Sequence, residues 1–476
     1  MSRTAAPIGP VPASERIPAL DAARGVALLG ILLVNVQLFF LPFGHLLEMK
    51  PPATTGDAAA WWFVRIFCEG KFFPLFSMLF GMGLVLQLDR ARAAGRPFTA
   101  AYLRRLILLA LFGIAHIILL WAGDILLVYS VAGLILLLCA GLSARTLLIV
   151  SGMLVLIAVL LTTAAAALGF MAGHEDAPGS PVAATSPIAT VSPDVGDSTS
   201  TTTPPSTPLT DASHAALPDA ATPATPAEVD RDADKFKGPF WQTPFGRFIR
   251  GFRSGTAGPP DSPLWMETET EAMRDGPFLQ ALLFRLLTYA SFLMFMVFGF
   301  GWQVVAMFTL GAALMKLRVF DPSRLAWHRR FVLVGALVGL PMVSLAAALP
   351  AITDSAWAMM VVGPCMYIGG PLVSLAYLGG VTLLVSSGRA PAVCAWVART
   401  GRAALSVYLG ESLIASYLSF HWGLGWFGQV GALERLAVAL AIYGVLSIAA
   451  NLWLRAFRMG PMEWLWRKGT YLRASA

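Results

Sequence analysis

Two ionisable side chains interrupt a long apolar stretch near residue 120. Between residues 106 and 138 the ionisable groups are His116, Asp124 and Tyr129, and the other side chains suit lipid. Polar groups are costly in hydrocarbon, so their presence there indicates a function. A histidine beside a carboxylate can act as the general base in acyl transfer to a hydroxyl or amine. We therefore predict His116 as the base and Asp124 as its partner; a histidine that only packs against a neighbouring helix is the alternative.

Charged side chains at the start of the chain and at the ends of apolar runs could hold an anionic substrate. Asp21 and Arg24 lie three residues apart, so they share one helical face and either pair with each other or meet a charged ligand. Arg104, Arg105 and Arg402 can bind phosphate through paired hydrogen bonds. Ordinary charges that orient the helices are the alternative for each arginine.

Five further residues complete the predicted site. Asn35 lies deeper in the first apolar run, and His45 lies just beyond its end, where an interfacial histidine is commonly only solvated. Lys71 marks the start of the second run. Trp121 and Tyr129 serve either as pocket walls or as anchors at the membrane interface.

Composition excludes a soluble globular protein. Of 476 residues, 57% are apolar and only 13% are charged, and the mean hydropathy is +0.69, which indicates a polytopic membrane protein. The net charge of +7 does not indicate nucleic-acid binding, because most basic residues lie in short loops between apolar runs and orient the helices. The four cysteines have neither disulfide-framework nor metal-ligand spacing, so no metal site is predicted.

The apolar runs predict an all-α transmembrane bundle of about ten spans. They are residues 26–41, 72–88, 106–121, 125–142, 146–170, 279–298, 331–349, 359–384, 392–420 and 436–454, with a continuation of the sixth to residue 317 left open.

Six parts follow from these runs and from shifts in composition. They are a cytoplasmic tail (1–19), an amino-terminal bundle (20–171), a Pro-, Ser- and Thr-rich linker (172–234), an amphipathic segment (235–277), a carboxyl-terminal bundle (278–457) and a cytoplasmic tail (458–476). The linker has too little apolar surface to fold, so we predict disorder there. The amphipathic segment suits either a membrane surface or a partner protein.

The distribution of Lys and Arg predicts the orientation. With both termini in the cytoplasm, the basic loops around residues 90–105, 316–330 and 389–402 lie inside, as the positive-inside rule requires. Residues 172–277 are then outside. His116 is ten residues into its predicted span, about 15 Å at the helical rise, so we expect it near the membrane centre and Asp124 near the outer surface.

Short motifs spread along the chain are specific as a set. They are Leu20-Asp21 with Arg24-Gly25 and Asn35; Lys71-Phe72, Phe76-Ser77 and Phe80-Gly81; Gly113, His116, Trp121, the tetrapeptide at 123–126 and Tyr129; Trp302-Gln303 with 311–315; Gly401-Arg402, Leu405 and Tyr408; and Gly460-Pro461 with 463–467. Together they resemble the YeiB-type family of bacterial integral membrane proteins, whose activity is unassigned. The resemblance covers the chain outside the linker and implies a multi-pass protein of the bacterial plasma (inner) membrane.

The first helix also resembles the opening of the transmembrane acyltransferases, including the heparan-alpha-glucosaminide acetyltransferases. The matching residues are Asp21, Arg24-Gly25 and Asn35, with His45 about where those enzymes carry a histidine. This shorter resemblance implies transfer of an acyl group from cytoplasmic acyl-coenzyme A, as donor substrate, to an envelope glycan or lipid.

Two other functions fit the same residues. A transporter would use a polar path lined by Lys71, His116, Asp124 and Glu411, with Gly363-Pro364 and Gly370-Pro371 breaking a helix. A non-catalytic scaffold would recruit a partner through the linker and the segment after it, and His116 would then be structural.

Overall fold

The computed structural model describes residues 16–46, 50–95, 97–175, 239–353 and 355–470. All regular secondary structure within these residues is helical. The predicted all-α class is therefore confirmed. Most of the predicted amino-terminal tail and of the linker, the first four residues of the amphipathic segment and residues 471–476 lie outside the described residues. Residues 172–175 of the predicted linker are helical.

The chain before the linker folds into long helices joined by short turns. They are α1 (Pro18–Phe40), a 3-10 turn (Phe43–Leu46), α2 (Thr55–Phe63) with a π turn (Val64–Cys68), α3 (Phe72–Ala93), α4 (Thr99–Leu119), α5 (Leu126–Cys139) and α6 (Ala144–Glu175).

The chain after the linker begins with short helices and continues with long ones. They are a 3-10 turn (Pro239–Gln242), α7 (Pro244–Ser254), α8 (Pro263–Arg274), α9 (Phe278–Phe295) with a π turn (Met296–Phe300), α10 (Gly301–Lys316), a 3-10 turn (Pro322–Arg324), α11 (Leu325–Val334) with a π turn (Gly335–Gly339), α12 (Leu340–Ile352), α13 (Ala356–Ser387), α14 (Pro391–Arg402), α15 (Ala404–Ser419), α16 (Ala432–Ala456) and α17 (Pro461–Thr470).

Seven helical segments of the described chain are long and apolar enough to cross a membrane. They are Pro18–Phe40, Thr55–Ala93, Thr99–Leu119, Ala144–Leu168, Pro322–Ile352, Trp357–Ser387 and Ala432–Ala456. The apolar helices Leu126–Cys139 and Phe278–Met294 are shorter. The chain is therefore an all-α membrane protein, as composition predicted.

Two predictions about helix breaks were wrong. The predicted span at residues 392–420 is interrupted at Ala403, where α14 ends and α15 begins. Conversely, α13 runs without interruption through Pro364 and Pro371, so these prolines do not produce the discontinuous helix considered for a transporter. Membrane helices tolerate proline because neighbouring groups satisfy the freed backbone carbonyls.

Close helix crossings depend on glycine. At the crossing of α3 with α10, a methyl group on Gly81 would overlap the Phe308 carbonyl, and one on Gly311 would overlap the Met78 carbonyl. At the crossing of α1 with α14, Gly25 and Gly401 have the same role. Small residues allow the backbones of membrane helices to approach closely. This explains why these four motif positions, 25, 81, 311 and 401, are glycines.

Residues 239–274, called the cap here, cover one end of the bundle. In it, α7 places Phe248 against Phe284 of α9, with 5.0 Å between ring centroids. The Phe43 amide donates to Glu269 of α8 at 3.1 Å, and the His421 amide donates to the Met273 carbonyl at 2.8 Å. Phe245, Phe248 and Trp265 of the predicted amphipathic segment thus pack against α9, whereas Phe240 and Phe252 are exposed.

The α3–α10 crossing gives a stability prediction. Gly311→Ala should destabilise the fold by about 1–3 kcal/mol, because the added methyl group meets backbone rather than a movable side chain. Gly444→Ala is the matched control, since the space around Gly444 is open. Thermal unfolding of the purified chain in detergent measures both variants; equal midpoints would contradict the close crossing.

Candidate functional site

Two cavities lie along opposite halves of α1. The larger, of about 440 Å³, follows α1 from Arg16 to Ile31 and is called here the basic cavity. The smaller, of about 180 Å³, follows α1 from Ile31 to Leu38 and is called the Asp124 cavity. Ile31 and Ile125 line both cavities, so the two cavities are neighbours.

Asp124 and His116 meet where α4 turns back into α5. Asp124 Oδ1 accepts a hydrogen bond of 2.8 Å from the Leu127 amide at the start of α5. Its Oδ2 lies 3.1 Å from His116 Nδ1, and both side chains are fully buried. The distance is that of an ion pair, but the angles are not those of a hydrogen bond. Capping of α5 fixes the carboxylate, and the carboxylate faces the imidazole.

The side chain of Asp124 has no exposed surface. Phe43 of the turn after α1 and Glu269 of the cap line the cavity beside Asp124. Trp121 stacks on Phe39 of α1 with 4.2 Å between ring centroids. The turn between α4 and α5 is therefore an internal turn, and Trp121 is a cavity wall.

His116 lies between side chains that line different cavities. Asp124, its partner, lines the smaller cavity, and the Tyr408 ring, 5.3 Å from the imidazole between centroids, lines the basic cavity. His116 itself lines neither cavity and is 2% exposed. Tyr129, the other predicted wall, lines the basic cavity and shares a 2.8 Å hydrogen bond with Ser77.

Arginines dominate the basic cavity. Its walls carry two carboxylates, Asp21 and Glu463, and seven arginines: Arg16, Arg24, Arg90, Arg105, Arg402, Arg458 and Arg467. Arg24 pairs with Asp21 at 2.8 Å, Arg402 donates to the Arg458 carbonyl at 3.0 Å, and the Arg105 guanidinium lies 3.8 Å above the Trp466 ring. The structure therefore gathers Asp21, Arg24, Arg105 and Arg402, all predicted site residues, around one space.

Glu463 holds the wall of this cavity together. Its carboxylate accepts hydrogen bonds from the Leu405 and Ser406 amides, at 2.6 and 3.1 Å, and from the Ser406 hydroxyl. These amides open α15, where backbone donors need partners and where the helix dipole favours an anion. A side chain on Gly460 would overlap this carboxylate, which explains the Gly-Pro-x-Glu motif at residues 460–463.

Of the remaining predicted residues, one lines a cavity and two do not. Asn35 lines the Asp124 cavity. Lys71 is fully buried but lines neither cavity; its ammonium group donates to the Arg65 carbonyl at 2.8 Å, which closes the π turn before α3. His45 lies in the 3-10 turn after α1 and also lines neither cavity.

Sequence reasoning missed three polar residues of the Asp124 cavity, Arg285, Thr288 and Glu269. Arg285 had a usable signal, because it is a cation within an apolar run, which is the argument that identified His116. Glu269 had none, since it is one of three glutamates in α8. Among the described residues, no three His, Cys, Asp or Glu side chains gather as metal ligands.

This arrangement defines a polytopic all-α membrane protein with a buried histidine–carboxylate pair between two cavities. The chain is 30% identical to "Uncharacterized protein YeiB" of Escherichia coli (strain K12) over 97% of each chain, and it belongs to the YeiB family. It is also 29% identical to "Uncharacterized protein YxaH" of Bacillus subtilis (strain 168), over 97% of this chain and 96% of the relative.

The family model that matches residues 314–473 is described as "Protein of unknown function (DUF418)". No solved structure matches the chain. The YeiB-type resemblance read from the motifs is thus confirmed, and neither these relatives nor the family model names an activity.

Glu269 makes the cap sensitive to pH. Burial raises the pKa of its carboxyl from 4.5 to about 7, against the opposing effect of the Phe43 amide. A raised folded-state pKa adds stability that is complete below pH 4.5 and is lost as pH rises through about 7, on the order of 3 kcal/mol in all. Amide exchange in α8 should therefore be faster, after correction for intrinsic rates, at pH 8 than at pH 6.

Glu269→Gln should remove this dependence, because the amide does not ionise. The exposed Glu267 lies on the same helix, so Glu267→Gln is the control and should leave the dependence in place. A pH dependence that persists in Glu269→Gln would assign it to another group.

Proposed function

We propose that this protein transfers an acyl group from acyl-coenzyme A to an acceptor in the cell envelope. The observation that carries the proposal is the basic cavity, with seven arginines and two carboxylates, next to a buried histidine–carboxylate pair. The proposed location is the bacterial plasma membrane, with the basic cavity on the cytoplasmic side, where acyl-coenzyme A is present.

The basic cavity suits a donor with several phosphates. Guanidinium groups bind phosphate through paired, charge-assisted hydrogen bonds. Both carboxylates on its walls already have partners, since Asp21 faces Arg24 and Glu463 caps α15. Aromatic and aliphatic residues deeper in the cavity, such as Leu28, Phe80 and Tyr129, suit the acyl end of the donor.

The position of His116 suits a base that works at the boundary between donor and acceptor. In the proposed reaction the acceptor oxygen or nitrogen bonds to the thioester carbonyl carbon, and the carbon–sulfur bond breaks. The acceptor proton passes to the His116–Asp124 pair, and coenzyme A leaves as the thiol after taking up a proton. Tyr408 lies against the imidazole, so its movement would open His116 to the basic cavity.

The geometry favours this function over the two alternatives. A transport path would need Lys71 and Glu411 in a common polar space with Asp124, yet Lys71 and Glu411 line neither cavity. A scaffold would offer the segment after the linker to a partner, whereas Phe245, Phe248 and Trp265 of that segment are buried in the cap.

Donor binding tests the basic cavity. Arg24→Gln and Arg402→Gln should each weaken binding of palmitoyl-coenzyme A about 10–100-fold, the effect of losing a charge-assisted hydrogen bond. Arg145→Gln is the control, because Arg145 is exposed and lines neither cavity. Titration of the purified chain in detergent measures affinity, and equal affinity in all three variants would contradict the assignment.

Product formation tests the histidine–carboxylate pair. His116→Ala and Asp124→Asn should lower acyl transfer in labelled membranes by about 100-fold or more, as expected for loss of a general base, without lowering the amount of protein. Product at the wild-type level in both variants would rule out catalysis by this pair. Loss of the protein itself would show that the pair serves packing.

A further inference from the structure

Arg285 is a buried cation whose hydrogen-bonding capacity is incompletely used. It lies on α9, its side chain is 1% exposed, and it lines the Asp124 cavity. Nε and Nη1 donate to the Ala281 and Leu120 carbonyls, both at 3.3 Å, whereas Nη2 has no hydrogen-bond partner among the described residues. The guanidinium also lies 5.1 Å from the centroid of the Phe278 ring. Its hydrogen bonds are long contacts to neutral carbonyls, so its burial is costly unless a ligand completes it.

Thr288 adds a second donor beside the first. It lies three residues after Arg285, so both side chains share one face of α9. It is 9% exposed, lines the same cavity, and its hydroxyl also lacks a hydrogen-bond partner in the part of the chain that the structure describes. Arg285 Nη2 and the Thr288 hydroxyl are therefore two buried donors, one helical turn apart, that line one cavity. Together they can bind an anion with several oxygens.

The carboxylates that line the Asp124 cavity already interact with other groups. Asp124 faces His116 and the Leu127 amide, and Glu269 accepts from the Phe43 amide. Neither is an ion-pair partner of Arg285 in the described structure. The charge of Arg285 therefore remains available to a ligand that enters the cavity.

We propose that the Asp124 cavity binds an anionic acceptor, whose phosphate or carboxylate is held by Arg285 Nη2 and Thr288 Oγ1. The role of acceptor rests on the proposed acyl transfer, whereas anion binding itself does not. The volume of about 180 Å³ suits a head group rather than a whole lipid or glycan. Anchoring the anion on α9 would leave a neighbouring hydroxyl or amine of the acceptor beside Asp124, which lines the same cavity.

Anion binding is measured on the purified full chain in neutral detergent, with glycerol 1-phosphate as the soluble probe and thermal stabilisation as the readout. Arg285→Gln should weaken binding at least tenfold, and Thr288→Val about threefold. Arg274→Gln and Thr270→Val are matched controls, because these residues line neither cavity, and both should bind as wild type does. Wild-type affinity in Arg285→Gln would overturn the proposal.

The thermal stability of Arg285→Gln without probe shows whether weaker binding could come from misfolding. Removing an unpaired buried charge should leave Arg285→Gln at least as thermally stable as wild type without probe. A purely structural arginine would instead give a lower unfolding midpoint. A clear loss of stability in Arg285→Gln, combined with normal binding in Thr288→Val, would therefore overturn the anion site.

A second arm distinguishes a lipid head group from a free anion. Nanodiscs of phosphatidylglycerol and of phosphatidylcholine are compared by the lipid that the protein retains in native mass spectrometry. If the protein preferentially retains phosphatidylglycerol and Arg285→Gln abolishes this preference, the ligand is a lipid head group. If only glycerol 1-phosphate binds, the ligand is a soluble anion. Both results support the site. Binding of neither probe to the wild-type protein would overturn it.

The same preparations separate this inference from the proposed function. Anion binding without any affinity for palmitoyl-coenzyme A would keep the anion site and remove its role as acceptor pocket. Donor binding that is intact while no anion binds would keep the donor cavity and remove the anionic acceptor.

Discussion

Both oxygens of the Asp124 carboxylate contact the protein, and the wall of the Asp124 cavity depends on these contacts. One oxygen caps α5 through the Leu127 amide, and the other faces His116 on α4. A single buried side chain therefore joins two helices at an internal turn, which the cap then covers. Burial without these contacts would be costly, since an isolated carboxylate in an apolar interior is strongly destabilising. The cap, the turn and the histidine consequently form one unit rather than three independent features.

Helix interruptions organise the rest of the polar chemistry. The break at Ala403 exposes the first amides of α15, and Glu463 binds them from α17. The break before α3 places Lys71 over the Arg65 carbonyl. In each case a charged side chain satisfies backbone groups that the helix itself cannot pair, as an apolar environment requires. Both charges therefore serve structure, and Glu463 also lines the basic cavity, whereas Lys71 lines neither cavity.

Much of the architecture could be predicted because apolar composition and charge distribution act through the whole chain. The all-α class, the membrane character and the pairing of His116 with a carboxylate in the turn to the next helix follow from residue type and spacing. Helix breaks could not be predicted, because proline at 364 and 371 looks like a break yet is accommodated, whereas Ala403 carries no signal. The burial of Asp124 also depends on residues 239–274, which pack from far along the sequence. Arg285 was overlooked although the same physical argument applied to it.

The walls of the basic cavity come from distant parts of the chain, and this order affects when the cavity can form during synthesis. Asp21 and Arg24 on one wall leave the ribosome before Glu463 and Trp466 on another wall, because they lie more than 400 residues earlier in the chain. The cavity therefore cannot be completed while the helices are being inserted one after another. It closes only when α17 reaches the amides that open α15. A ligand that needs all walls of this cavity can therefore be bound only after α17 is in place.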